Sequence, residues 1–123
     1  MSPDDVKVAE AFLAALGTAA QTGDRSAVLP FLAPDIVWVT PKRELDGLEG
    51  VEEGLTWVVP PEHLDVEFAP AGWVDLGDGR MACDVHETYR LKGTDEIAYE
   101  RDLRILCSLS HGLVSRYEMQ VVG

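Results

Sequence analysis

The sequence predicts an α+β domain in which helices precede a mostly antiparallel sheet. Near the N-terminus apolar residues recur at helical spacing, whereas from Leu64 onward apolar and polar residues alternate as they do in strands. Short turn signals separate the alternating segments, at Gly77–Gly79, Lys92–Asp95 and His111-Gly112. Strands joined by such turns pair as antiparallel hairpins. Helices packed on one face of that sheet would complete the class.

Three helices are predicted before the sheet. The first begins at Ser2–Asp5, where Ser2 can cap and Pro3 suits the first helical position, and it ends at Thr22-Gly23. The second is short and made irregular by Pro30. The third begins after Gly47, spans Leu48–Val58, and ends before two prolines.

The predicted strands follow from composition and alternation. Ile36–Thr40 is rich in β-branched and aromatic residues, and the polar segment Pro41–Asp46 after it is predicted to be a loop. Leu64–Phe68 alternates cleanly and resumes at Trp73–Leu76, so Pro70–Gly72 between them indicates a bulge or kink. The remaining strands are Met81–Leu91, Tyr99–Leu109 and the segment after His111-Gly112.

Length and charge restrict the class of protein. The 123 residues predict one domain, 1–123, and the net charge of −12, with 10 basic against 22 acidic residues, excludes nucleic acid and acidic membranes as partners. No apolar run approaches the roughly 18 residues of a membrane span, and the N-terminus has no signal-peptide pattern, so we expect a cytoplasmic protein. Cys83 and Cys107 are expected to be free thiols, on opposite faces of neighbouring strands.

Several short motifs occur in a characteristic order along the chain. They are Thr22-Gly23-Asp24, Leu32–Trp38, Thr40-Pro41, Asp46–Val51 and His111–Val114. Together they resemble the nuclear transport factor 2-like (NTF2-like) superfamily, which includes ketosteroid isomerases, SnoaL-like polyketide cyclases and limonene-epoxide hydrolases. The resemblance covers nearly the whole chain. It implies a cone-shaped, cystatin-like fold in which three N-terminal helices and a strongly curved sheet enclose a pocket.

The functional residues of these relatives are not all present. Where the steroid isomerases have an Asp base before a proline, this chain has Thr40. Their oxyanion-hole Tyr and Asp correspond to Leu16 and Arg104, so steroid isomerisation by that mechanism is not expected. The Arg-x-Asp pair of the epoxide hydrolases occurs in reverse order as Asp102-Leu103-Arg104, and Val121-Val122 stands near the end where they have another Asp.

A polar cluster is nevertheless predicted. If the Lys92–Asp95 turn is a two- or four-residue loop, Glu87 faces Asp102 across the hairpin, with Arg104 on the same face. Two or three carboxylates that share one Arg in a dry cavity cannot all be ionised comfortably, which suits proton transfer. A one-residue slip would move Glu87 to the other face. The candidate catalytic residues are Asp102, Arg104 and Glu87, and the candidate ligand-binding residues are Trp38, Thr40, Tyr89, Tyr117 and Met119.

Two classes of function remain open. The first is an isomerase, cyclase or hydratase that acts on a small, apolar, oxygenated metabolite by acid–base chemistry. The second is a non-catalytic ligand-binding or dimerisation domain, in which the polar cluster is a structural ion-pair network or solvated surface. No metal or other cofactor is predicted, because the histidines are not at metal-ligand spacing. A homodimer is expected, since the apolar stripe Leu103, Ile105, Cys107 and Leu109 has no remaining segment to cover it.

Overall fold

The computed structural model describes residues 3–54 and 62–122. The end of the predicted third helix lies outside these residues. Two short 3-10 turns, Arg25–Ala27 and Leu29–Phe31, lie between the first helix and the first strand. The helices and strands are α1 (Pro3–Thr22), α2 (Gly47–Gly54), β1 (Leu32–Val39), β2 (Glu44–Asp46), β3 (Leu64–Gly77), β4 (Arg80–Leu91), β5 (Ile97–Ser110) and β6 (Leu113–Val121).

The helical layer differs from the prediction in one element. In α1 the residues at helical spacing, among them Phe12 and Leu16, are buried against the sheet, and the helix ends before Gly23, whose φ is 79°. The predicted second helix is replaced by the two 3-10 turns. Pro30 lacks an N–H for a continuing α-helix but suits the start of a short turn.

The six strands form one mixed sheet in the order β2-β1-β6-β5-β4-β3. β1 pairs parallel with β6, and the other neighbours pair antiparallel, so the predicted mostly antiparallel sheet is confirmed. The predicted interruption of β3 is present as a register shift between Pro70 and Trp73. The loop predicted over Pro41–Asp46 is wrong in its second half, because Glu44–Asp46 pairs with β1.

Two one-residue irregularities change the orientation of β5 relative to its neighbours. Between β4 and β5 the register shifts where Arg90 opposes Ile97 and Tyr89 opposes Tyr99, so one residue of β5, Ala98, has no partner. Between β5 and β6 a second shift leaves Ser115 of β6 without a partner. Each extra residue moves the side chains that follow it to the opposite face of the sheet from the one that uninterrupted pairing would give. As a result Arg101, not Asp102, opposes Glu87.

The apolar stripe of β5 therefore faces the interior. Leu103, Ile105 and Cys107 are buried in the same core as Phe12 of α1. The argument for a homodimer from an uncovered stripe is wrong, because the domain covers these residues itself. We call the side of the sheet that they share with α1 the inner face, and the opposite side the outer face.

The cysteines also lie differently from the prediction. Cys83 opposes Ile105 and Cys107 opposes Met81, so the two thiols lie on the same face of neighbouring strands rather than on opposite faces. Both are buried and neither forms a disulfide, which confirms that they are free. No helix among the described residues is long and apolar enough to cross a membrane.

Candidate active site

A cavity of about 90 Å³ lies between α1 and the inner face of the sheet. Apolar side chains form most of its wall, and a polar group from β4 and β5 projects into it. The cavity adjoins a second pocket of about 290 Å³, which shares Thr40, Arg101 and Met119 with it. We call this second space the outer pocket; the name refers to its position next to the cavity and not to the outer face of the sheet. The residues that line the cavity are Leu16, Trp38, Thr40, Phe68, Val85, Glu87, Tyr89, Arg101, Leu103, Ile105, Tyr117 and Met119.

The polar group consists of Glu87, Tyr89 and Arg101. Glu87 is only 4% exposed. Its Oε1 atom accepts hydrogen bonds from Arg101 Nε at 2.5 Å and from the Tyr89 hydroxyl at 3.2 Å. Arg101 Nη2 also donates to the Tyr89 hydroxyl at 3.4 Å, and the guanidinium lies 5.7 Å from the centre of the Tyr89 ring. Arg101 and the Tyr89 hydroxyl thus supply the counter-charge and hydrogen bonds that offset the lost hydration of this buried carboxylate.

Two polar atoms that line the cavity are left without protein partners. Every hydrogen bond that Glu87 accepts from the described residues goes to Oε1, so its second oxygen, Oε2, has none. The Tyr117 hydroxyl likewise has no hydrogen-bond partner among the described residues. No fully buried side-chain oxygen or nitrogen in this part of the chain lacks a partner, so both atoms keep some accessible surface, and both residues line the cavity. A bound molecule could accept a hydrogen bond from Tyr117 and donate to Glu87.

The electrostatic environment fixes the protonation of the neighbours of Glu87. Burial raises the pKa of the Tyr117 hydroxyl well above its ordinary value, and burial together with the charge of Glu87 does the same for Tyr89. Both hydroxyls therefore stay protonated and can donate. Burial alone would lower the pKa of Arg101, but the hydrogen bond and the charge of Glu87 outweigh it and raise that pKa. Arg101 therefore stays cationic.

The aromatic wall is formed by β1 and β6. Because these strands run parallel with Trp38 opposite Tyr117, the two side chains stack with ring centres 3.9 Å apart and an interplanar angle of 24°. The Phe12 ring of α1 packs nearly perpendicular to both rings, at interplanar angles of 80° and 77°. The Tyr117 hydroxyl is thus held on a rigid ring.

The structure separates the predicted catalytic residues. Glu87 lies in the cavity, but Asp102 and Arg104 are exposed on the outer face, so their predicted place in the pocket is wrong. Asp102 Oδ1 lies 2.7 Å from His86 Nδ1, and Arg104 Nε donates to Asp84 at 3.0 Å. The bulge at Ala98 is the physical reason, because it inverts β5 relative to Glu87.

The predicted ligand-binding residues are placed differently. All five line the cavity, and none of them belongs to β5; they are Trp38, Thr40, Tyr89, Tyr117 and Met119. The residue that sequence reasoning missed is Arg101. Its alternation with Leu103 and Ile105 was visible in the sequence, but that face was assigned to the outside. Among the described residues no group of three or more His, Cys, Asp or Glu could hold a metal ion.

The comparisons with known proteins rest on structure rather than sequence. No family model matches the chain, and no curated protein matches its sequence. An NTF2-like protein from Anabaena variabilis superposes with a TM-score of 0.81 over 100% of this chain and 93% of its own, at 15% identity. The chain has an NTF2-like fold. The predicted resemblance to this superfamily is thereby confirmed at the level of the fold.

Two further NTF2-like neighbours have more specific descriptions. A proposed isomerase from Rhodopseudomonas palustris superposes with a TM-score of 0.74 over 93% of this chain and 88% of its own, at 15% identity. TerC, co-crystallized with polyporic acid, gives a TM-score of 0.71 over 97% and 92% of the two chains, at 20% identity. At such identities the likeness shows the fold, which hosts many activities, so the function has to be argued from the site.

Proposed function

We propose that this domain binds a small, largely apolar carbonyl compound in the cavity and transfers a proton on it, as an isomerase or cyclase does. The observation that supports this most directly is the pair of unpartnered polar atoms, Glu87 Oε2 and the Tyr117 hydroxyl, in one apolar cavity. Burying polar atoms without partners is unfavourable, so a protein that keeps them at a cavity wall gains when a ligand satisfies them. Neighbours of the same fold described as a proposed isomerase and as TerC with polyporic acid are consistent with small-molecule binding.

The proposed reaction begins with Glu87. Its Oε2 atom takes a proton from the carbon next to the ligand carbonyl, and the electron pair of the broken C–H bond forms a C=C bond. The carbonyl π electrons move onto oxygen, where the Tyr117 hydroxyl donates a hydrogen bond and the charge of Arg101 stabilises the enolate. If the ligand has a C=C bond next to the deprotonated carbon, the enolate is extended over that bond, and Glu87 returns the proton to its far carbon, which gives an isomer. If the ligand has a second carbonyl, the enolate carbon attacks that carbonyl carbon, which closes a ring, and the π electrons of the second carbonyl move to its oxygen, which takes the proton from Glu87.

The volume of the cavity limits the size of the ligand fragment that it can hold. A water molecule occupies roughly 10–15 Å³ by the same measure, so about 90 Å³ holds a fragment equivalent to about half a dozen waters. An aliphatic carbonyl fragment of that size fits, and a larger ligand must extend into the outer pocket through Thr40, Arg101 and Met119.

A second candidate is ligand binding without turnover. It is favoured by the Arg101–Glu87 ion pair, because Arg101 already occupies one oxygen of the carboxylate. Such a domain would bind the same class of ligand without exchanging its protons. The two candidates therefore differ in one measurable property, the exchange of ligand protons with solvent.

We also propose that two copies of the domain associate through the outer face. Val74 and Leu76 are 60% and 46% exposed, and Leu76 lies with Leu106 in a shallow depression. Arg116 and Glu118 also line that depression, so its charges can be self-complementary across a twofold axis. This patch replaces the β5 stripe as the proposed interface.

The test of the proposed reaction is deuterium exchange. In D₂O, NMR follows the loss of protons next to the carbonyl of 2-pentanone, a ligand that matches the cavity in size. Exchange faster with protein than with buffer supports proton transfer. Binding seen by tryptophan fluorescence without faster exchange supports the binding-only candidate. If neither binding nor faster exchange is seen, both candidates are rejected.

A further inference from the structure

The outer pocket next to the cavity is basic, although the protein as a whole is strongly acidic. Three of the ten Lys and Arg residues of the chain, Lys42, Arg43 and Arg101, line it. None of its lining residues in the described part of the chain is acidic, although the sequence has 22 Asp and Glu. The rest of its wall is Thr40 and the apolar side chains of Pro41, Leu45, Met119 and Val121.

The local sequence fixes two of these cations at the pocket. The Thr40 N–H donates to the Arg43 carbonyl at 2.8 Å, and the Arg43 N–H donates back to the Thr40 carbonyl at 3.3 Å. These bonds close a two-residue turn, Pro41-Lys42, between β1 and β2. Proline presets the backbone for the first of two central turn residues. The turn therefore holds Lys42 and Arg43 beside the cavity.

The cations differ in how far they are already neutralised. Arg43 pairs with Glu53 at 3.3 Å, and Arg101 pairs with Glu87 in the cavity. Lys42 forms no ion pair within the described residues. The outer pocket therefore has an uncompensated positive charge, which comes mainly from Lys42. The same pocket is lined by apolar side chains.

We infer that the ligand is an organic anion, with its apolar end in the cavity and its carboxylate in the outer pocket beside Lys42. This inference rests on the proposed function in one respect, because it requires that the cavity binds the apolar part of the ligand. The uncompensated charge favours an anion, and the apolar residues Leu45, Met119 and Val121 favour an organic one over a bare inorganic ion. Arg101 lines both spaces and would lie between the carboxylate and the reacting carbonyl.

The experiment compares hexanoate with hexanamide, which have the same chain and differ in charge. Binding is followed by intrinsic tryptophan fluorescence and checked by calorimetry. We expect the wild type to bind hexanoate about tenfold more tightly, because charge-assisted hydrogen bonds are stronger than neutral ones. Raising the ionic strength from about 0.01 to 0.15 M should narrow this difference. Inorganic phosphate at the same concentration should not displace hexanoate.

The variants assign the effect to the pocket. Lys42→Met should weaken hexanoate binding about fivefold and leave hexanamide unchanged, whereas Lys42→Arg should retain the preference. Lys92→Met is the matched control, since it removes the same charge from the exposed turn after β4 and should change neither affinity.

The outcomes separate this inference from the proposed function. Equal binding of the two probes, an equal loss in Lys92→Met, or efficient displacement by phosphate would overturn the inference while leaving a ligand-binding cavity in place. Binding of neither probe would overturn both.

Discussion

Arg101 lies directly opposite Glu87 across the β4–β5 ladder, and its Nε atom donates to Glu87 Oε1 at 2.5 Å. We expect Arg101→Met to lower the free energy of unfolding by about 2 kcal/mol, because Glu87 would be left buried without a counter-charge. Breaking a fully buried ion pair would lower the free energy of unfolding further, but the Arg101 side chain is 33% exposed. Urea unfolding measures the difference.

Arg104→Met is the matched control, since it removes the same side chain three residues further along β5. Arg104 pairs with Asp84 on the outer face, where both side chains are about half exposed. We expect a change within about 0.5 kcal/mol. A larger loss in Arg104→Met than in Arg101→Met would contradict the assigned faces of β5.

His86 predicts a pH dependence on the outer face. Its ring nitrogens lie 2.7 Å from Asp102 and 3.0 Å from Glu100, and these hydrogen bonds raise the pKa of His86 above its ordinary value. Because the folded pKa is the higher one, the stabilisation is complete below the unfolded pKa of about 6.5 and is lost as pH rises through the folded value. The melting temperature of the wild type should therefore fall, relative to His86→Gln, as the pH rises above about 6.5. Parallel curves would refute the pairing.

The thiols should be unreactive in the native protein. Burial raises the pKa of Cys107 to about 12 and also raises that of Cys83, so neither forms the reactive thiolate near neutral pH. A thiol reagent should label neither residue in buffer and both in denaturant, with no change in native mass on reduction. Rapid labelling of either thiol in buffer would show that this core opens readily.

Most of the architecture was predictable because it depends on local patterns. The helical spacing of α1, the alternation of β4 and the turn at His111-Gly112, where both residues have positive φ as a tight hairpin turn requires, are visible in the sequence. The bulges at Ala98 and Ser115 are not, since nothing in their composition distinguishes an unpaired residue from a paired one.

Those bulges explain which of the predicted residues line the cavity and which lie on the outer face. They invert β5 alone, so Glu87 of β4 and Tyr117 of β6 line the cavity, as expected from the alternation of their own strands. The predicted faces of the β5 residues are wrong together. For this reason Asp102 and Arg104 were expected in the cavity and Arg101 was not. The buried position of Leu103 was missed for the same reason.

A pair of leucines tests this inversion. Leu103 lies in the core and is only 2% exposed. Because Leu103→Glu buries an unpaired charge, it should lower the free energy of unfolding by about 4 kcal/mol or prevent folding. Leu106→Glu on the outer face should fold. If the outer face is the dimer interface, light scattering should report twice the chain mass for the wild type and the single mass for Leu106→Glu. A folded, stable Leu103→Glu would contradict the placement of β5.

The most direct test of the central claim, that Glu87 Oε2 is a base in a ligand cavity, is the rate of deuterium exchange next to the carbonyl of 2-pentanone. Glu87→Gln keeps the shape of the side chain and removes the base, and Asp102→Asn makes the same change on the outer face. We predict that Glu87→Gln lowers the protein-dependent rate by about 100-fold or more, whereas Asp102→Asn leaves it unchanged. Equal rates in the wild type and in a folded Glu87→Gln protein would contradict the claim.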